Sequence, residues 1–392
     1  MKIDSVDLYY LSMPEVLDIG DGSQDALLVR VEAGGYVGWG ECEASPLTSI
    51  ASAVAPMSHS ACKPILASVL GESLESVADV ARIGEKVRAN SFDLLQMDHT
   101  LSGIDIALWD LMGKKMGLPA WQLVGYQRSY RKKPYASMLF GNRPEETFAK
   151  VGRVREKGFS AVKLGWGAFG KSTSALDASH IRAAREGLGP EGILLVDAGT
   201  VFAANVESAG QRLQALADAK VHWLEEPFHN FALDAYSQLA GMSPHVALAG
   251  GEGSHNYFQA LQMMRQAGVK FIQIDTGRIG GITAAKQVAD QAVGLGVTYV
   301  NHTFTSALAL AASLVPFAGL KDHLLCEYPM ELTPLAAELA GNPFLLDDDG
   351  TIGLSDAPGL GVEVQIEAMK KYLVPLEIRA AGKVIYETPE LR

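Results

Sequence analysis

The feature that most constrains the fold is an alternation that fills the second two-thirds of the chain. From about Lys133 onward, eight short β-rich runs appear: YASMLF, SAVKLGW, ILLVDAG, VHWLEEPF, VALAGGE, FIQIDTG, VTYVNHTF and HLLCEYP. Segments with apolar residues every three or four positions separate most of them, for example EETFAKVGRVREKG, SALDASHIRAAREGLG and AAKQVADQAVGLG. Strands that alternate with helices become parallel neighbours, because a helical crossover returns the chain to the same edge. Eight such units predict an α/β fold in which the parallel sheet closes into a barrel. A doubly wound open sheet would want a glycine-rich phosphate loop after the first strand, and YASMLFGNRPEE has none.

The flanking segments read differently. DSVDLYYL and ALLVRVEAGGYVGWGE carry β-branched and aromatic residues around a glycine turn, which predicts antiparallel strands. From about Ser52 to Leu123 the pattern is helical, and GIDIALWDLMGKKM stops at Gly117-Leu118-Pro119. After the glycine-rich LSDAPGLGVEV, the tail AAGKVIYETPELR is expected to add a strand to the N-terminal region. The predicted division is an N-terminal α+β domain of residues 1–125, completed by about 366–392, and a barrel domain of 126–365. A chain of 392 residues with 48% hydrophobic content can bury cores of that size.

The net charge of -12 argues against a nucleic-acid partner, which needs a basic surface to displace counterions. Cys42, Cys62 and Cys326 fit neither a zinc motif nor a disulfide framework, as expected of free thiols in a reducing compartment. The start, MKIDSVDLYYLSMPE, has no apolar secretion core, and no run approaches the roughly 18 apolar residues of a membrane span. The expectation is a soluble, cytoplasmic protein with neither membrane nor nucleic acid as a partner.

In such a barrel the chemistry sits where the strands end. Those ends carry Lys163, Asp197, Glu225, Glu252, Asp275, His302 and Glu327, at successive separations of 34, 28, 27, 23, 27 and 25 residues. Each gap holds about one strand–helix unit, so seven polar side chains converge on one mouth. Three carboxylates in one cavity, Asp197, Glu225 and Glu252, repel one another unless a cation neutralises them. An all-oxygen ligand set favours a hard ion such as Mg²⁺. Of the two acids in WLEEPF only one can face inward, and Glu226 is expected to pair with a nearby lysine or arginine. Asp275 beside His302 would fix the imidazole tautomer and raise its basicity. His255, three residues past Glu252, is read as a loop residue.

These residues, in this order, resemble the enolase superfamily and, within it, the mandelate racemase subgroup. GFSAVKLG is similar to the second-strand motif G-F-x-x-x-K-x-K in all but its last position. LLVDAG, WLEEPF and GGEG resemble the three metal-ligand strands, IDTGRIGGIT and NHTF the aspartate–histidine dyad, and PGLGVEV the closing segment. The resemblance implies a capping α+β domain over a modified TIM barrel, (β/α)₇β, with Mg²⁺ and a small-molecule carboxylate substrate. It implies Asp197, Glu225 and Glu252 as metal ligands and His302, supported by Asp275, as the base. Glu327 is implied as a protonated acid on the substrate carboxylate, and Lys163 as a second contact to it. Relatives of this kind are commonly homo-oligomers.

Two positions depart from the family pattern. Gly165 replaces the second lysine, which in racemising relatives is the base on the opposite face, and Gly199 stands where many relatives have asparagine. Inversion of a carbon needs an acid and a base on opposite faces, so racemase or epimerase activity is disfavoured. β-Elimination needs one face only, with His302 taking the C2 proton and returning it to the departing 3-hydroxyl. The expectation is a lyase: a Mg²⁺-dependent dehydratase that converts an aldonate or aldarate, through an enediolate, to a 2-keto-3-deoxy acid. The alternatives are a cycloisomerase or lactonising enzyme or an epimerase of the same superfamily and, in another class, a non-catalytic sugar-acid-binding protein. Substrate contacts are expected from Lys163, Glu327, Trp166 and Asn301, and from two cap loops, PEVLDIGDGSQD with Asp18 and Asp21, and ECEASPLTS around Ser45.

Overall fold

The computed structural model describes residues 1–43, 45–341 and 344–392. The N-terminal region begins with three antiparallel strands, β1 (Ile3–Ser12), β2 (Asp25–Ala33) and β3 (Tyr36–Cys42). β2 and β3 are joined through Gly34 and Gly35, both at positive φ. The helix Met97–Met116 lies directly on β3. A Cβ at Gly40 would fall 2.1 Å from the Gly103 carbonyl oxygen, so only glycine permits that approach. The close seat fixes the direction in which the end of β3, carrying Glu41 and then Glu43, leaves the cap.

The eight β-rich runs form β4 (Lys133–Leu139), β5 (Ala161–Gly165), β6 (Ile193–Asp197), β7 (Val221–Glu225), β8 (Ala247–Gly250), β9 (Phe271–Asp275), β10 (Thr298–His302) and β11 (Leu325–Pro329). All hydrogen-bonded neighbours are parallel, in the order β10-β9-β8-β7-β6-β5-β4-β11. The barrel is nearly closed. At the seam between β10 and β11, the Asn301 side chain accepts from Glu327 N at 2.9 Å and donates to Glu327 O at 3.5 Å.

Side chains along a strand alternate faces, and this period of two builds the mouth. The floor inside the barrel is a cluster that includes Tyr135, Ala161, Leu195, Trp223, Val300 and Leu325. Two residues further along the same strands come Ser137, Lys163, Asp197, Glu225, His302 and Glu327, all on the inward face above that floor. A larger apolar layer, with Val162, Leu164, Val196, Leu224 and Ile274, fills the space between the strands and the outer helices.

The C-terminal tail departs from expectation. Instead of adding a strand to the cap sheet, it folds back on itself as β12 (Glu377–Ala380) and β13 (Lys383–Glu387). Ala381 and Gly382 both have positive φ, the geometry of a two-residue hairpin turn, so the tail satisfies its own backbone. It still joins the cap by packing. Tyr386 and Tyr372 enter the cap core, and the Tyr386 hydroxyl donates to the Leu8 carbonyl at 2.6 Å. Among the described residues, no helix is long and apolar enough to cross a membrane.

Candidate active site

The mouth of the barrel, under the cap, holds a cavity of about 270 Å³ lined by Lys163, Gly165, Trp166, Asp197, Glu252 and His302, together with the cap residues Ile19 to Gly22 and Glu43. Its two sides differ in chemistry.

On one side His302 is buried, and its Nδ1 lies 2.7 Å from Asp275 Oδ2. That contact leaves Nε2 facing the cavity, 3.1 Å from Glu252 Oε2 and 3.9 Å from Glu327 Oε2. Burial alone would lower the histidine pKa, but Glu252, Glu327 and the Asp275 hydrogen bond outweigh it and hold the pKa well above the usual value. Asp275 is held low, against its burial, by hydrogen bonds from Glu43 and His302.

Glu43 and Arg278 are two members of this cluster that the strand-end reading did not single out. Arg278 contacts Glu43 directly and reaches Glu252 at 3.4 Å. Glu43 donates its backbone N–H to Gly277 O at 3.2 Å, so the end of β3 is tied to the turn after β9. Burial raises the Glu43 carboxyl well above its usual range, with Arg278 opposing and Asp275 adding to the rise. The cap therefore completes the dyad as a chain from Arg278 through Glu43 and Asp275 to His302. The sequence signal for Arg278 was a cation three residues past the sixth strand's acid. For Glu43 it was the second of two acids, Glu41 and Glu43, at the end of the third strand.

Beneath the cavity, Lys163 Nζ lies 2.5 Å from Glu225 Oε1, 2.8 Å from Glu327 Oε1 and 3.7 Å from Asp197 Oδ2. Burial opposes its charge, but Glu225 and Glu327 outweigh that and raise its pKa well above normal. Glu327 is fully buried, and its oxygens accept from Ser137 Oγ, Lys163 Nζ and Thr303 N, each at 2.8 Å. It does not line the cavity. It stands behind Lys163 and accepts from three donors.

Four further expectations are revised, the first by strand geometry. Asn301 precedes His302 on a regular strand and so must face the opposite way. It is fully buried, bonded to Ser313 and to the seam, and is absent from the cavity lining. Ser45 is exposed, at φ 57, and accepts from Thr48 Oγ1, while Ala44 beside it lies outside the described residues. Asp18 does not line the cavity, whereas Asp21 does, with its Oδ1 accepting from Ser23 N and Oγ. Glu226 meets no lysine or arginine among the described residues. The strand has ended, its φ is 38°, and its buried Oε1 has no hydrogen-bond partner. Burial, then Glu252 and Asp197, push its pKa well above normal.

The expected metal ligands meet the same surplus of negative charge. Asp197 is raised well above its usual pKa by burial and then by Glu225. Around the mouth stand Glu43, Asp197, Glu225, Glu226, Glu252, Asp275 and Glu327, against Lys163, Arg278 and His302. Even with His302 charged, acids outnumber cations. That surplus, the orphaned Glu226 oxygen and an oxygen-only donor set fit a hard divalent cation at Asp197, Glu225 and Glu252. Their oxygens are not drawn into the tightest group. Among the described residues, the three whose ligand atoms all lie within 4.8 Å of one another are Glu43, Asp275 and His302. Of the expected ligands, Asp197 and Glu225 pair with Lys163, and Glu252 pairs with His302.

The other side of the cavity is bare. A Cβ at Gly165 would lie 2.7 Å from Asp197 Oδ2 and 2.9 Å from Asp197 Cβ, so the strand has no room for a side chain there. Trp166 turns at φ 53, and its indole lies against Gly20 of the cap and Gly199 after β6. A Cβ at Gly20 or Gly199 would come within 2.9 Å of that ring. Both departures from the family pattern therefore belong to one arrangement, in which the indole after Gly165 lies against Gly199 and lines the cavity.

The two-domain architecture and the site place the chain in a recognisable class of proteins, and comparison with known proteins agrees. Residues 12–125 match the family "Mandelate racemase / muconate lactonizing enzyme, N-terminal domain", and residues 146–369 match "Enolase C-terminal domain-like". The chain belongs to this family, within the enolase superfamily. It is similar to the D-galactarolactone cycloisomerase of Agrobacterium fabrum, at 28% identity over 89% of this chain and 91% of that one. It is 32% identical to the D-galactonate dehydratase of Variovorax paradoxus over 68% of this chain and 72% of that one. A crystal structure described as a predicted mandelate racemase from Rhodobacter sphaeroides superposes with a TM-score of 0.95 at 55% identity, covering 99% of this chain and 100% of that one.

Proposed function

We propose that the protein is a Mg²⁺-dependent sugar-acid dehydratase that removes the proton beside the substrate carboxylate with His302. The observation that carries this reading is the asymmetry of the mouth. One imidazole, oriented by Asp275, faces the cavity, and no side chain stands at Gly165 to act from the other face. The similarity to the D-galactonate dehydratase supports the choice of reaction.

Asp197, Glu225 and Glu252 would hold the Mg²⁺. When bound, it supplies Lewis-acid stabilisation of a carboxylate as negative charge grows on it. Lys163, positioned by Glu327, adds a fixed positive charge at the same end, and that interaction strengthens as the substrate becomes an enediolate. In its neutral form, with Nδ1–H held by Asp275, His302 accepts the C2 proton on Nε2, and the C–H electrons move onto the carboxylate. That form requires the surrounding carboxylates, which otherwise hold the imidazole charged, to be neutralised by the cation at Asp197, Glu225 and Glu252. The electrons held on the carboxylate then return to form a C2–C3 double bond as the C3–O bond breaks, its electron pair leaving on the hydroxyl. His302 returns its proton to that oxygen, and water departs. The enol that remains tautomerises to a 2-keto-3-deoxy acid.

The similarity to the D-galactarolactone cycloisomerase over most of the chain favours a second reading, in which the same proton abstraction ends in ring opening rather than loss of water. A library of aldonic, aldaric and lactone acids, followed for release of the C2 proton into heavy water and for 2-keto acid, separates the two. Keto acid formed in proportion to exchange supports dehydration. Exchange with ring opening but no keto acid supports the isomerase. No exchange with any sugar acid overturns both.

A further inference from the structure

We infer that the substrate is a monoanion: a sugar acid whose end remote from the reacting carboxylate carries no charge. This rests on the sugar-acid reading above and narrows it from aldonate or aldarate to the aldonate class, anhydro and lactone forms included.

The argument is the charge inventory of the cavity wall. Among the described residues that line it, the permanent cations are Lys163 and Arg278, while His302, whether charged or not, is already taken by Asp275 and Glu252. Lys163 lies at the reacting end, between Glu225 and Glu327, where the first carboxylate belongs. Arg278 is buried and already faces two carboxylates, Glu43 and Glu252. Neither is left for a second acid group. The cap side of the wall is Ile19, Gly20, Asp21 and Gly22, followed by Glu43. The cap loop PEVLDIGDGSQD, residues 14–25, carries Glu15, Asp18, Asp21 and Asp25 with no lysine or arginine. Ile19 and Trp166 are about half exposed, so a second carboxylate at that end would keep part of its water, but it would stand beside acids of its own sign with no cation free to pair with it.

An uncharged polyol end meets a suitable surface. The Trp166 indole, held between Gly20 and Gly199, presents an aromatic ring beside the backbone of the cap loop. The C–H face of a sugar chain can pack on that ring, while its hydroxyls reach backbone groups and water. The discrimination is of the negative kind, since the site rejects a charge rather than gripping a unique group.

The test compares acids matched in stereochemistry at C2 to C5 that differ only in the terminal group, such as an aldonate and its aldarate, with the Mg²⁺-loaded full chain. C2 proton exchange and turnover give kcat/KM, and competition gives affinity. The expected result is a preference of about 100-fold or more for the monoacid in kcat/KM. Ile19→Arg, which places a cation at the remote end, should narrow that preference at least tenfold. Equal or better use of the diacid by the unaltered protein overturns the inference while leaving the dehydratase reading intact. Failure of both acids to bind or exchange overturns the sugar-acid reading, and this inference with it.

Discussion

The two sides of the mouth are built from the same barrel by opposite means. On the His302 side, strands β8 to β10 and the cap bring Glu252, Asp275, Arg278 and Glu43 into one hydrogen-bonded cluster. On the Gly165 side, strand β5 ends in a residue with no side chain, and an indole wedged between two glycines faces the cavity. Among the described residues, the imidazole proposed to move the proton stands on the first side, and Gly165 on the second offers no side chain for that role. A barrel of eight similar units can therefore be made one-faced by a small number of substitutions at strand ends.

The comparison breaks most visibly if the first side is disabled. His302→Asn should lower both C2 exchange and turnover by about 10³-fold or more, in line with the weight of a general base, in a protein of unchanged melting temperature. Removal of Mg²⁺ by a chelator should have an effect of similar size, since several kcal/mol of charge stabilisation goes with it. Asp197→Asn should weaken Mg²⁺ binding measured calorimetrically, a readout independent of catalysis.

Glu43→Ala should reduce kcat by on the order of 10- to 100-fold, as loss of a group that orients another usually does. Substrate KM should change little, and Glu43→Gln should restore part of the loss because an amide can still bridge Arg278 and Asp275. A variant that raised KM alone would make Glu43 a substrate contact instead.

The second side is tested by addition. Gly165→Lys should not create racemisation. The new Cβ would press on Asp197, so the expected cost is about 1–3 kcal/mol of stability, read by chemical denaturation. Inversion at C2 by that variant would show that the opposite face had been open to a base after all.

The smallest expected effect on turnover comes from the rear of the crowded side. His99, on the cap helix Met97–Met116, stacks near His255 with ring centroids 5.0 Å apart. Burial, then His255 and Arg278, lower its pKa to about 4, with Asp275 opposing. The unfolded chain takes up this proton near the ordinary value of 6.5 and the folded one only near 4. Stability should therefore fall as pH drops through that window and level off below it. His99→Asn should flatten the slope by at most about 3 kcal/mol, measured by denaturant midpoints at pH 7.5 and 4.5. An unchanged slope would remove His99 as its source.

Much of this was legible along the chain for a simple reason. A charged residue at the end of a short apolar run stands out, and Lys163, Asp197, Glu225, Asp275, His302 and Glu327 all do so. The period of two then places them above a common floor. What was not legible depends on contacts between distant segments. Glu43 and Arg278 are 235 residues apart, and neither alone announces the other. Asn301 illustrates the reverse error. Adjacency to His302 in sequence suggested a shared site, whereas adjacency on a strand puts it on the other face, where it stitches the barrel seam. The terminal hairpin was hidden in a turn of alanine and glycine that local composition reads as continuous strand. Gly165 and Gly199 were visible as departures, but only the position of the Trp166 ring shows them to be parts of one arrangement.

The most direct test of a one-faced site follows the fate of a single carbon. Both C2 epimers of one aldonate, incubated in heavy water with the Mg²⁺-loaded protein, should behave differently. One epimer should exchange its C2 proton with configuration retained and go on to keto acid, while the other stays protonated, and no interconversion should be seen. Appearance of the opposite epimer, or exchange that persists undiminished in His302→Asn, would contradict the account.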